Sequence, residues 1–296
     1  MSKSATAPRD HDIPVNGVTL RAVTWGELGD PGRVVVLVHG ITANGQYWTD
    51  TGPALAARGW FPIALDLRGR GQSAKPAHGY GLPFHANDIL AILDHFGLET
   101  THYVGHSLGG LIGLYLAAVH PHRMGRFVLV DAGGKLPPDA MEAIAPALAR
   151  LGITYPSVDA YLAAMLASPH FAGDRPFWER YFRYDAETRP DGTAISTVPP
   201  EAIREEQASL FLTRTDILPE YVMAPTMIVR ATVGLLGDGR GEILTATEAD
   251  RLRGIISSSR VVEIAGTNHY SVVQAPCFLD EVAAFLDEPD QGVTTA

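Results

Sequence analysis

The hydrophobic pattern of this chain changes period several times, and the changes outline its elements. "RVVVLVHG" (33–40) is an unbroken β-branched run, the pattern of a strand covered on both faces of a parallel sheet. "GWFPIALDLRG", "THYVGHS" and "GRFVLVDAG" contain three more such strands. Between them, "PFHANDILAILDHFG" (83–97) carries Ile89, Leu90, Leu93 and Phe96 at helical spacing and stops at Gly97. Upstream, "IPVNGVTLRAVTWG" predicts two strands around an Asn16-Gly17 hairpin turn. Residues 1 to about 11 are polar without periodicity and read as a disordered lead-in.

The pattern shifts at about residue 134. From "GKLPPDAMEAIAPALARLG" to "DILPEYV" there are helical patterns and Pro-rich joints but no buried strand. Val158, Tyr161, Leu162, Met165 and Leu166 form one helical stripe, and Ile203, Gln207, Leu210 and Phe211 mark the face of a second helix. Alternation then resumes, with "PTMIVRA" and "SRVVEIAG" as strands, "ATEADRLRGII" and "PCFLDEVAAFLDE" as helices. Strands alternating with helices predict a mostly parallel sheet covered on both faces. The all-helical insert predicts a cap, dividing the chain into a core at 1–133 and 223–296 and a cap at 134–222.

Composition narrows the function classes. At 296 residues and 46% apolar, the chain can bury a substantial core. A net charge of −10 argues against a surface that tracks nucleic-acid phosphates or an anionic membrane. No apolar run reaches the length of a bilayer span, and "MSKSATAPRDHD" has no apolar signal region. The single cysteine, Cys277, excludes an internal disulfide framework, and together these features point to a cytoplasmic protein.

The chemistry centres on "YVGHSLGGLIG", in which Gly105-His106-Ser107-Leu108-Gly109 fits G-x-S-x-G between a predicted strand and a predicted helix. A turn that tight forces its middle residue into a strained backbone, and side chains at the flanking positions would clash, hence glycine at both. The serine Oγ is then offered at the sheet edge beside a helix N-terminus that favours developing negative charge. The plainer alternative is a serine that only caps the helix. For acyl transfer the backbone N–H of Leu108 supplies one oxyanion donor, and Ile41, in the loop after "VVVLVHG", is the natural second. His39 in that loop reads as a structural residue bonding backbone. His269, in "VVEIAGTNHYSVV", is the histidine that follows a strand and a glycine near the C-terminus, the place for a general base.

"LVHGITANGQYW", "ALDLRGRGQSAKP", "YVGHSLGGLIGLYLA" and "GTNHYSVV" occur in the order of the motifs of the α/β-hydrolase family, and the chain resembles that family over nearly all of residues 12–287. The resemblance implies an α/β-hydrolase fold: a mostly parallel eight-stranded sheet flanked by helices, with a Ser–His–acid triad beneath an inserted helical cap. The family usually carries its acid just after the strand "PTMIVRA", yet here that strand runs into "TVGLLGDGRGEIL". Glu242 lies 27 residues before His269, near the family's usual spacing, and Asp238 is its neighbour. Asp131, ending "FVLVDAG", is the other candidate, where some members place the acid instead. A short side chain on a rigid strand end holds an imidazole better than a glutamate on a loop, so Asp131 is preferred over Glu242.

Arg68 and Arg70 in "DLRGRGQS" read as structural ion-pairing residues, and "GDGRG" as a plain loop. The aromatic cluster Phe177, Trp178, Tyr181, Phe182 and Tyr184 reads first as cap core and second as pocket lining. No His or Cys grouping has zinc spacing, and no metal or organic cofactor is required. The expected activity is that of a serine hydrolase of carboxylic ester or lactone small molecules, forming an acyl-enzyme on Ser107. A serine in that position departs from the epoxide hydrolases and dehalogenases of the family, which use a carboxylate. The alternatives are a hydrolase of C–C bonds in ring-fission diketones and a non-catalytic ligand receptor on the same fold.

Overall fold

A computed structural model describes residues 7–171, 173–237 and 239–289. The first hairpin pairs β1 (Pro8–Val15) with β2 (Val18–Trp25) through Asn16 and Gly17, both at positive φ, as the two-residue turn requires. Strand β1 begins at Pro8, inside the stretch read as a lead-in. Its residues 8–11 are polar because they lie on an edge strand, yet the ladder to β2 orders them.

Next come β3 (Val34–Val38), helix α1 (Thr51–Ala57), β4 (Phe61–Leu65), α2 (Leu82–His95), β5 (Thr101–His106), α3 (Leu108–Val119) and β6 (Met124–Val130). Every residue of β3 and β4 is buried, as the unbroken apolar runs demand. The chain returns to the sheet with β9 (Thr226–Ala231), α8 (Ala246–Ile255), β10 (Ser259–Ile264) and α9 (Pro276–Leu286). The sheet has eight strands in the order β1-β2-β4-β3-β5-β6-β9-β10, antiparallel at the first two pairings and parallel at the rest.

Between β6 and β9 lie α4 (Pro138–Ala149), α5 (Val158–Leu166), α6 (Arg175–Asp185), the short strands β7 (Ala186–Thr188) and β8 (Ala194–Ser196), and α7 (Pro200–Leu212). The expectation of an all-helical insert is corrected here: β7 and β8 form an antiparallel hairpin with Ala194 and Ser196 buried. Three-residue strands are too short to show a period of two in the sequence. The expected face of α7 also shifts. Ile203 is buried, but Glu206 is buried beside it, while Gln207 and Phe211 are exposed. Glu206 carries a buried ion pair, and hydrophobicity counting assigns such a residue to solvent.

Two apolar layers sandwich the sheet, one around α2 and α3, the other running from Trp48 and α9 into the aromatic residues of α6. Among the described residues no helix is long and apolar enough to cross a membrane.

Candidate active site

The tight joint between β5 and α3 holds Ser107 at φ 55° and ψ −119°, a backbone conformation that side-chain-bearing residues rarely adopt. The sequence permits it through its glycines. A Cβ at Gly105 would overlap the carbonyl of Gly109, and one at Gly109 would overlap the carbonyl of Val38. Ser107 occupies the cap position of α3, but its side chain makes no capping hydrogen bond. The hydroxyl therefore does not do the work that the plainer alternative assigned to it. Leu108 opens the helix, where its N–H has no acceptor within the helix and is available to a ligand.

His269 sits on the loop after β10, beyond Gly266 at φ 74°. Its Nδ1 lies 2.8 Å from Asp131 Oδ2, and both side chains are buried. Asp131 follows the last residue of β6, itself at positive φ (48°). The Asp131 N–H donates to Val229 O at 2.7 Å, and Oδ1 accepts the Ala231 N–H at 3.1 Å. The carboxylate is thus pinned by β9 on one oxygen and faces the imidazole with the other. Because a buried carboxylate accepts, Nδ1 carries the proton and Nε2 is left as the free base nitrogen.

Glu242 lies elsewhere in this arrangement. It accepts from Arg230 Nη2 at 2.9 Å, and the same guanidinium binds Glu263 at 2.7 Å. The structure therefore brings Asp131 to His269 and Glu242 to an arginine. Asp238 lies outside the described residues.

Two residues that the motif reading missed hold the His269 loop. His106 Nε2 lies 2.8 Å from the His269 carbonyl, so Nε2 is its protonated nitrogen. Burial, and then the proximity of His269, push the His106 pKa well below its ordinary value and keep it neutral. The Tyr47 hydroxyl donates to Tyr270 O at 2.9 Å. His106 occupies a variable position of the motif and Tyr47 a single 3-10 turn (Gly45–Trp48), so neither spacing nor periodicity marks them. His39 takes the structural part expected of it. Its Nδ1–H donates to Gly40 O at 2.8 Å and its Nε2 accepts the Leu67 N–H at 3.1 Å. Burial holds it neutral, down to about 3.

The loop after β3 turns tightly, with the Ala43 N–H on Gly40 O at 3.1 Å. Ile41 is the second residue of that turn, and its amide takes no part in closing it. Gly40, Ile41, Ser107, Leu108, Asp131 and His269 all line one cavity of about 730 Å³. Ile144, Leu148, Phe171, Trp178, Tyr181 and Phe182, all from the insert between β6 and β9, form an apolar wall of it. Of the aromatic cluster, Phe177 packs inward and Trp178, Tyr181 and Phe182 face the cavity, whereas Tyr184 lies outside it and donates its hydroxyl to Asp66 Oδ2 at 2.6 Å. Lys135, Asp216, Glu248 and Arg251 are the charged residues at its more exposed side.

The ion pairs expected of "DLRGRGQS" are present. Arg68 grips Asp88 through two nitrogens at 2.7 and 2.6 Å, and Arg70 pairs with Glu206 at 3.1 Å.

With this geometry in place, comparison with known proteins gives the family. The sequence profile described as the alpha/beta hydrolase fold matches residues 33–276. The chain belongs to the alpha/beta hydrolase fold family. It is 38% identical over 131 residues to the dihydrolipoyllysine-residue acetyltransferase component of the acetoin cleaving system of Pseudomonas putida, covering 44% of this chain and 34% of that protein. It is 33% identical over 151 residues to a 3-hydroxybutyrate-oligomer hydrolase of Cupriavidus necator, covering 49% and 50%. The match thus spans a third to a half of the length of these relatives. Among solved structures, E-2-(acetamidomethylene)succinate hydrolase superimposes with a TM-score of 0.81 over 95% of this chain and all of that one. At 22% identity this likeness speaks for the fold alone.

Proposed function

We propose that this alpha/beta hydrolase is a serine hydrolase of carboxylic esters or lactones, with Ser107 as nucleophile, His269 as general base and Asp131 as the acid of the triad. One observation carries the reading: a serine held on a strained strand-to-helix turn shares a cavity with a histidine whose Nδ1 is bound to a buried carboxylate. The relative named for hydrolysis of 3-hydroxybutyrate oligomers supports hydrolysis as the class of reaction. The same reading divides the chain into a core at 1–133 and 223–296 and a cap at 134–222, with the substrate taken up between them.

His269 Nε2 takes the Ser107 proton as Oγ attacks the carbonyl carbon, and Asp131 holds the imidazole in its tautomer and stabilises the imidazolium. The N–H groups of Leu108 and Ile41 receive the oxyanion. Collapse breaks the ester C–O bond, and the leaving alkoxide takes the proton from His269. Water, deprotonated by His269, then attacks the acyl-enzyme and releases the acid and Ser107. The apolar cap wall takes the acyl or alkyl portion by excluding water from it.

The test is active-site labelling with a fluorophosphonate, together with turnover of p-nitrophenyl acetate and butyrate. Wild type is expected to label and turn over, and Ser107→Ala to do neither. Wild type that does neither, with ligand affinity retained in Ser107→Ala, would establish the receptor alternative. Turnover of a ring-fission diketone without ester turnover would establish the C–C hydrolase.

A further inference from the structure

The turn that carries the Ile41 amide is held by two buried arginines, and both are tied to the cap. Arg70 Nε donates to Ile41 O at 2.9 Å, and Arg150 Nη2 donates to Thr42 O at 3.0 Å. Arg70 comes from the loop after β4, and its Nη2 bonds Glu206 of α7 at 3.1 Å. Arg150 closes α4, and its Nη1 bonds Asp185 at the end of α6 at 2.8 Å. Glu206 is further held by His85 Nε2 of α2 at 2.7 Å, and Asp185 by Ser196 Oγ at 3.0 Å and Thr197 Oγ1 at 3.2 Å. The side chains of Arg70, Glu206 and Asp185 are fully buried and that of Arg150 is 10% exposed.

These contacts hold the shape of the turn whose first peptide carries the Ile41 N–H. In a trans peptide the C=O and N–H point opposite ways, so orienting Gly40 O also orients the Ile41 N–H. Gly40 O is held by His39 Nδ1 and the Ala43 N–H, and the next two carbonyls are held by the two arginines. The first of these peptide planes is thus set by His39 and by the bond that closes the turn, and the next two are set from outside it by the arginines. Stability alone does not call for charge here, because a buried ion pair is commonly no better than an apolar one of the same shape. A guanidinium that spans a cap carboxylate and a turn carbonyl supplies directionality instead.

We propose that Arg70 and Arg150 are positioning residues that couple seating of the cap to assembly of the oxyanion hole, so that the turn presenting the Ile41 amide keeps its catalytic shape while Glu206 and Asp185 hold the arginines on its next two carbonyls. The inference rests on the hydrolase reading above, in which that amide receives the oxyanion.

The test uses the full chain with Arg150→Gln, Arg150→Lys, Glu206→Gln and Asp185→Asn. Fluorophosphonate labelling taken to completion counts active sites, so misfolded protein drops out of the kcat. With p-nitrophenyl butyrate, kcat per labelled site is expected to fall at least tenfold in Arg150→Gln and Glu206→Gln, with KM within about twofold; removal of a whole oxyanion donor costs ~10²–10³. Affinity for butylboronic acid, which forms a tetrahedral adduct on the serine, is expected to weaken with kcat, while butyrate binds as in wild type. Arg150→Lys, which keeps the charge beside Asp185, is expected to lie between Arg150→Gln and wild type. Variants with kcat per site within twofold of wild type would overturn the proposal, and so would equal weakening of boronate and butyrate. Wild type that neither labels nor turns over would overturn the hydrolase reading, and this inference with it.

Discussion

Ser107 and Asp131 are both held at positive φ, and each sits where a strand ends at the cavity floor. Backbone strain of this kind costs about 1–3 kcal/mol per residue and persists where the surroundings over-determine it. For Ser107 the surroundings are the glycines and the close approach of α3 to β3; for Asp131 they are the bonds to Val229 and Ala231. The serine was legible because a five-residue pattern encodes its strain locally. The carboxylate partner of His269 was legible only in part: the rigid strand end made Asp131 the preferred candidate, but spacing kept Glu242 open, and only packing sends Glu242 to Arg230. Asp131→Asn is therefore expected to lower kcat by about 10⁴, the size of effect seen when a triad imidazole loses its carboxylate. Glu242→Gln is expected to stay within a few-fold of wild type in the same p-nitrophenyl butyrate assay.

Among the elements, α3 is tightly fitted to the sheet. A Cβ at Gly113 would come 2.5 Å from Phe127 Cε2 and 2.6 Å from Tyr103 Cε1, atoms of two buried rings on the strands beneath it. Gly113→Ala gains helix propensity but forces those rings apart, and the overpacking is expected to dominate at about 1–3 kcal/mol. A thermal melt should show a loss of several degrees, and an unchanged or raised Tm would refute the close-approach argument. The elements between β6 and β9 read less well from the sequence. Ala140, Ala143, Ala147 and Arg150 share one face of α4, so the periodicity places an arginine on a buried stripe. That pattern was the available signal for Arg150, but only the partners Asp185, Tyr161 and Thr42 give it meaning.

Across the whole molecule, the insert between β6 and β9 meets the rest of the chain through charge as well as through apolar packing. Burial alone raises the Glu206 carboxyl pKa, but His85 and Arg70 outweigh it and hold the group at about 2, against 4.5 when free. A carboxylate depressed on folding stabilises the native state above its unfolded value, and the contribution fades as pH falls toward the folded one. Urea midpoints are therefore expected to drop between pH 4.5 and about 2 in wild type. Glu206→Gln should be less stable at neutral pH and show a flatter dependence across that window. Equal slopes in the two proteins would show that the Glu206 carboxyl is not held down by this cluster.

What the sequence determined by itself was whatever is written in neighbouring residues: the buried parallel strands, the Asn16-Gly17 turn, the glycines around Ser107 and the order of the family's motifs. Each follows from a local rule, a period, a positive φ or an excluded Cβ. What only the tertiary structure decided were choices among distant partners. These are Asp131 rather than Glu242 beside His269, Glu206 inward rather than outward on α7, and two arginines converging on the turn at Ile41. Such contacts join residues tens to more than a hundred positions apart. A charged side chain carries no mark in its own neighbourhood of which opposite charge the fold will bring to it, and burial settles the matter because an unpaired ion cannot stay there.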